Sequence, residues 1–305
     1  MSSFNLVKID TAESLGTDRT EIYFKGCNLK CKWCNMPEAR SPYKEMMFYV
    51  DRCNGCGICA TVCPRKSVTI IDGKAVTDPN KCIVCGECFK YCPDGDREAV
   101  GNQYSQSYIM DIINKDRENY GENGGVLLTG GEFLRNDDDY IEELCQELKD
   151  EDINIWVYTT GAAPNYNFQV VKDYVDKFVY RLTTINDQLH KDFTGKKVKD
   201  VLENFQYLAE NKGNIEVQVP VVGGFNNSVS NMEELADFIM KTAGDVPVTL
   251  IPFEEKGKIK YPRVKLVYEG DDLTTPSEDE MKKFLKVFTD GGFSQAKIEK
   301  TRRGM

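Results

Sequence analysis

Residues 26–40 read GCNLKCKWCNMPEAR and set three cysteines, Cys27, Cys31 and Cys34, within eight positions. Three thiolates are one short of the four that close a structural zinc site or saturate a cubane iron–sulfur cluster. The stretch follows TEIYF (20–24), whose β-branched and aromatic residues read as a strand. The identity of the fourth ligand decides the chemistry.

At 305 residues the chain is long enough for one large α/β domain and a smaller module. A formal charge of −10 argues against the basic face that nucleic-acid and membrane-surface binders need, so no nucleic acid and no membrane are expected as partners. No apolar run approaches the roughly 18 residues that span a bilayer. The start, MSSFNLVKIDTAES, lacks signal-peptide regions, so a cytoplasmic location is expected. Twelve cysteines in such a chain point to metal ligation rather than disulfides. Eleven lie between Cys27 and Cys92; the twelfth, Cys145 in YIEELCQELKD, sits at helical spacing among apolar residues and reads as core.

From Cys53 the chain reads CNGCGICATVCP, and from Cys82 it reads CIVCGECFKYCP, the same pattern 29 residues on with a strand-like VTIIDGKAV between. This repeat matches the bacterial two-cluster ferredoxin run, in which the fourth cysteine of each run serves the other cluster. Cys53, Cys56, Cys59 and Cys92 are therefore assigned to one 4Fe-4S cluster, and Cys82, Cys85, Cys88 and Cys63 to the second. Pro64 and Pro93 turn the chain away afterwards. A pair of zinc knuckles is the competing reading. The segment 48–100 is expected to be a ferredoxin-like electron relay inserted into the larger domain.

Outside it, strands are expected at 20–24, 125–129, 153–159, 177–182, 215–221 and 246–252, with helical periodicity in SYIMDIINK, DDYIEELCQELKD, VKDVLENFQYLAE, MEELADFIMKT and EDEMKKFLKVF. Alternation of this kind implies a parallel sheet with helices outside it, and six units suggest a partial (β/α)6 TIM-like barrel built from 1–47 and 101–305. Its ligand belongs at the carboxyl ends of the strands, which puts Cys27 at the barrel mouth.

CxxxCxxC after the first strand of such a barrel resembles the radical S-adenosylmethionine (SAM) superfamily. The resemblance implies that the amino and carboxylate groups of SAM complete the ligand set of a third 4Fe-4S cluster, making Cys27, Cys31 and Cys34 catalytic. A zinc loop borrowing a distant ligand is the alternative. LLTGGEFL (127–134) looks like the family's GGE segment, with Gly130, Gly131 and Glu132 receiving the SAM amino group; alone it could be an ordinary turn. The whole chain resembles glycyl radical enzyme activating enzymes of the pyruvate formate-lyase activase type, through FKGCNLKCKWCNMPEA, the eight-cysteine insert, INDQLHKDFTGKKVKDVLENFQYLAE, VPVVGGFNNS and IPFEEKGKIKYP. This implies reductive cleavage of SAM and removal of hydrogen from a backbone glycine of a partner glycyl radical enzyme, under anaerobic conditions. Electrons would come from an external donor such as flavodoxin or ferredoxin. The same scaffold acting on a small molecule, or cleaving SAM atypically, is the alternative; a pure electron carrier is a third.

By the same resemblance Trp33 lies near the adenine or shields the cluster, and Asn35 and Thr159 border SAM. Several polar positions depart from the family. SLGTDR (14–19) replaces DGPGIR and keeps only Arg19, Tyr158 stands for an Asp, Arg181 and Thr183 replace an Asp and a Lys, Gln218 replaces an Arg, and Glu254 replaces a His. Two readings of Arg181 follow: a guanidinium holding the SAM carboxylate in place of the family's cation and lysine, or an ion pair with Glu254. His190, the single histidine, reads as a packing or capping group despite its family match.

Overall fold

The computed structural model describes residues 3–14 and 17–299; Leu15 and Gly16, in the SLGTDR departure, lie outside the described residues. In chain order the strands are β1 (Ser3–Ser14), β2 (Thr17–Phe24), β3 (Glu45–Phe48), β4 (Val68–Ile71), β5 (Lys74–Thr77), β6 (Arg97–Val100), β7 (Asn102–Ser105), β8 (Gly125–Gly130), β9 (Ile155–Thr159), β10 (Lys177–Arg181), β11 (Ile215–Val221), β12 (Val248–Pro252) and β13 (Lys297–Ile298). Nine of them form one sheet in the order β13-β12-β11-β10-β9-β8-β2-β1-β7. From β2 to β13 every neighbour is parallel, whereas β1 runs antiparallel to β2 and β7.

The six expected strands are thus the six consecutive staves of a partial barrel. Strand alternation sorts their side chains. Val126, Leu128, Val157, Phe178, Val217 and Leu250 are fully buried in the large core, with helix residues such as Ile141, Leu144, Phe205, Leu235 and Phe288. Cys145 is fully buried there too, as its spacing implied. The other face carries Leu127, Trp156 and Val179 with Tyr158, a separate cluster. Arg19 stacks beneath it, 3.6 Å from the Trp156 ring, and donates to the carbonyls of Asn123 and Val126 at 2.7 and 3.1 Å. Arg19 therefore supports the amino-terminal end of the barrel; burial lowers its pKa to about 10.

Outside the insert, two described α-helices escaped the periodicity reading, Asn165–Val171 and Asp187–Thr194, both too short to show a clear repeat. The second starts at Asn186, whose side chain accepts from the Leu189 N–H at 2.9 Å. The edge strands β1 and β7 also had no place among the expected six.

The insert leaves and rejoins the barrel through β3 and β6, paired Glu45 to Val100 and Phe48 to Arg97. VTIIDGKAV, expected as one extended run, is instead the hairpin β4–β5. Asp72 and Gly73 adopt φ of 48° and 71°, the left-handed pair that a tight two-residue turn requires. Among the described residues no helix is long and apolar enough to cross a membrane.

Candidate active site

A cavity of about 420 Å³ opens at the carboxyl ends of the parallel strands, within the range of small-molecule and cofactor sites. Its wall takes Thr129 and Gly130 from β8, Tyr158 from β9, Arg181 from β10, Pro220 from β11 and Ile251 from β12. Cys27, Cys31, Trp33, Cys34 and Asn35 come from the loop after β2.

That loop is held from both sides. The Gly26 and Cys27 N–H groups donate to Ala39 and Arg40 carbonyls at 2.7 and 3.0 Å, and the Glu132 N–H donates to the Gly26 carbonyl at 2.8 Å. A Cβ at Gly131 would lie 2.4 Å from the Gly26 oxygen, and one at Gly130, where φ is +104°, would lie 2.5 Å from the Phe24 nitrogen. The two glycines let the GGE turn seat the cysteine loop, a reason beyond the expected approach to SAM. Across the mouth, Tyr261 donates to the Cys34 carbonyl at 3.2 Å, and Arg40 donates to Cys31 oxygen and Tyr261 hydroxyl at 2.5 and 2.8 Å. Burial, then the charge of Glu132, pushes the Cys27 thiol up to about 12; burial raises Cys31 likewise. Thiolates at such positions need a bound cationic group to form.

Trp33 stacks on Phe225 at 4.7 Å, and Phe225 stacks on Phe193 at 4.5 Å, so the indole has a rigid aromatic backing. Arg181 stacks over Tyr158 at 5.0 Å, and its buried Nε has no hydrogen-bond partner among the described residues. Burial lowers its pKa, but the facing Tyr158 and the cysteines Cys31 and Cys34 more than reverse this, leaving a firmly held cation. Glu254 also lines the cavity, but its ion-pair partner is Lys256. The alternative reading of Arg181, an ion pair with Glu254, is not met: among the described residues no ion pair joins them.

Three expected contacts do not reach the cavity wall. Glu132 is fully buried behind it, accepting from Thr159 Oγ1 at 2.8 Å and from the Thr160 N–H and Oγ1 at 2.8 and 2.7 Å. Burial raises its pKa, and the Thr160 and Thr159 bonds pull it back. Thr159 is occupied as that donor. Thr183 is buried off the cavity, its carbonyl accepting from Asn226 and Asn231 at 2.9 and 3.1 Å. The residue presented in their stead is Thr160, adjacent in YTTG; Arg40, Phe225 and Tyr261 were likewise missed, the last two because no local pattern marks a long-range contact. His190 is buried with Nδ1 2.7 Å from the Lys196 carbonyl, a satisfied packing group away from the cavity.

In the insert, one small cavity is framed by Cys53, Cys56, Cys59 and Cys92, and a second by Cys63, Cys82, Cys85 and Cys88. These are the two crossed sets read from the repeat. Gly57 and Gly86, at φ of 81° and 88°, precede the one-turn helices carrying Cys59 and Cys88. Main-chain N–H groups of Ser67 and Asp96 donate to the Cys63 and Cys92 sulfurs at 3.3 and 3.4 Å, as thiolate ligands require. Among the described residues no three such side chains converge on one ion-sized point; the thiols surround cavities instead.

A family model described as the radical SAM superfamily matches residues 83–239, just over half of the chain, and one described as a 4Fe-4S dicluster domain matches residues 45–93. The trans-4-hydroxy-L-proline dehydratase activating enzyme of Clostridioides difficile is 33% identical over 95% of this chain and 96% of that protein. The chain belongs to the radical SAM glycyl radical enzyme activating enzymes. A second activating enzyme of this kind, that of 4-hydroxyphenylacetate decarboxylase in Clostridioides difficile strain CD196, is 28% identical over 90% of this chain and 89% of that protein. The fold is shared with the crystal structure of Streptococcus suis SuiB bound to precursor peptide SuiA, with a TM-score of 0.55 and 13% identity across 90% of this chain and 47% of that chain. As a radical SAM activating enzyme the chain uses SAM and iron–sulfur clusters, and its thiol-framed cavities suit them chemically.

Proposed function

We propose that this activating enzyme carries three 4Fe-4S clusters and, with electrons passed through the insert, uses SAM to install a radical on a glycine of a partner dehydratase, decarboxylase or lyase. The kinds of partner follow those of its relatives. The observation that carries the reading is the cavity at the strand ends, where Cys27, Cys31 and Cys34 face Arg181. A cluster bound there would supply one electron to the sulfonium of SAM, breaking a C–S bond to release methionine as the thioether and a 5′-deoxyadenosyl radical, which would take a hydrogen atom from the glycine to give 5′-deoxyadenosine. Cys27, Cys31 and Cys34 hold that cluster. The two crossed sets hold the other pair.

Arg181 receives the SAM carboxylate, for which its fork of donors and freedom from any carboxylate among the described residues suit it. Gly130, Gly131 and Thr160 face the amino group, Thr160 being held in place by Glu132, which Thr159 holds in turn. Trp33, backed by Phe225, lies against the adenine, with Asn35 and Glu254 at the rim. Cys56 and Cys85 are exposed, and Ile83, which shares a cavity wall with Cys85, protrudes too, which favours docking of a flavodoxin or ferredoxin on the insert; an anaerobic cytoplasmic setting goes with that donor.

The test is electron paramagnetic resonance of the reduced protein mixed with SAM and a candidate partner, with 5′-deoxyadenosine measured in parallel. A glycyl doublet with matching 5′-deoxyadenosine is expected. SAM cleavage without a doublet across dehydratase, decarboxylase and lyase partners overturns the assignment.

A further inference from the structure

Arg97 lines both cluster cavities of the insert, and among the described residues no other arginine or lysine is common to the two walls. It is 4% exposed, and no carboxylate lies within ion-pair distance of it among the described residues. Its place is set by strand pairing: β6 begins at Arg97 opposite Phe48, whose ring lies 4.4 Å from the guanidinium carbon. One terminal nitrogen donates to Thr77 Oγ1 at 3.0 Å and to Met46 Sδ at 3.2 Å; the other, Nη2, is buried without a partner among the described residues. An uncompensated buried cation is unfavourable unless an anion arrives to meet it.

We propose that Arg97 is the shared cation of the insert, countering the negative charge of both clusters and raising both their midpoint potentials. A cluster held by four thiolates is anionic and becomes more so on reduction, so a cation in the dry wall favours the reduced form. Arg97 stands in one wall with Cys88 and in the other with Cys59, so it serves both sets by position alone. Asp94 and Asp96 line only the cavity of Cys53, Cys56, Cys59 and Cys92, while Arg65 lines only the other. The first cluster is therefore the harder to reduce. Arg97 positions the potentials and touches no substrate.

The inference rests on the two-cluster reading of the insert. The test is a potentiometric titration of reconstituted full-length protein followed by electron paramagnetic resonance, with iron and sulfide analysis, for wild type, Arg97→Gln and Arg97→Lys. At full iron content, Arg97→Gln is expected to lower both insert potentials, and Arg97→Lys to restore much of the shift. Unchanged potentials in Arg97→Gln at full iron content overturn the role of Arg97 and leave the two-cluster reading intact. Wild-type protein lacking the insert's iron overturns that reading itself. If Arg97→Gln loses its clusters, recovery of clusters in Arg97→Lys supports the charge requirement, and loss in both variants overturns it in favour of shape alone.

Discussion

Arg181→Met separates a ligand-binding role from a structural one. In the free protein Arg181 has no carboxylate partner among the described residues, its Nε is unpaired, and stacking on Tyr158 is the main interaction that the substitution removes. Such stacking is worth about 0.5–1 kcal/mol, and relief of a half-paired buried charge offsets it. The apoprotein should thus unfold within about 1 kcal/mol of wild type. Binding should respond differently, because a hydrogen bond to a charged group contributes about 1.5–3 kcal/mol. SAM affinity should fall roughly 10- to 150-fold. Arg181→Lys keeps the charge but not the fork, and should fall between. Equilibrium binding of SAM to the cluster-loaded protein, with and without monovalent cation, and denaturant unfolding of the apoprotein are the assays. Wild-type affinity should not depend on the cation. Unchanged affinity in Arg181→Met would refute the carboxylate role, and a large drop in apoprotein stability would mean that the guanidinium is structural.

Gly131→Ala drives a methyl group against the Gly26 oxygen, so the cysteine loop must lift; overpacking of this kind costs about 1–3 kcal/mol. The variant should lose the iron bound at Cys27, Cys31 and Cys34 while retaining the insert's iron, as read by iron analysis before and after mutation of those cysteines. Cys92→Ala should remove iron from the set Cys53, Cys56 and Cys59 and spare the set containing Cys63, so that one cluster's spectroscopic signal disappears. His190 supplies a pH signature: burial lowers its pKa below the unfolded value near 6.5, so the unfolded chain takes up the proton first. The stability it contributes is complete above about pH 6.5 and falls as pH drops through the window down to the folded pKa. Denaturant unfolding at a series of pH values should show this component in wild type and lose it in His190→Gln.

The barrel was legible because its strands and helices are local patterns: an apolar run such as GVLLT, or a face repeating through DDYIEELCQELKD, carries its own periodicity. Asp187–Thr194 was not, since a helix of two turns depends on the Asn186 cap and on packing rather than on a repeat. The hairpin in VTIIDGKAV was legible in principle from Asp72-Gly73, a turn signal that a continuous strand-like reading overlooked. At the site, the residues that were missed divide the same way. Thr160 stood beside an expected residue, whereas Tyr261 reaches Cys34 from 227 positions away.

By itself the sequence determined the donor chemistry: eleven thiols in three runs, whose short spacings put three ligands of each set close together. The crossed fourth ligands, Cys63 and Cys92, followed from the match to the two-cluster ferredoxin run, and it is the fold that brings each to the other run. Tertiary structure alone decided which polar groups face the cavity and which are spent within the protein. Glu132, Thr159 and Thr183 read as contacts by position, yet Glu132 and Thr159 spend their side chains on each other, Thr160 and the Gly161 N–H, and the Thr183 carbonyl is held by the Asn226 and Asn231 side chains, while Arg181 keeps a buried donor unpaired among the described residues. The same holds for Arg97, which makes no ion pair among the described residues and meets two cysteine sets at once only when β6 pairs with β3. A buried polar group needs a partner, and the identity of that partner is a property of the packed fold.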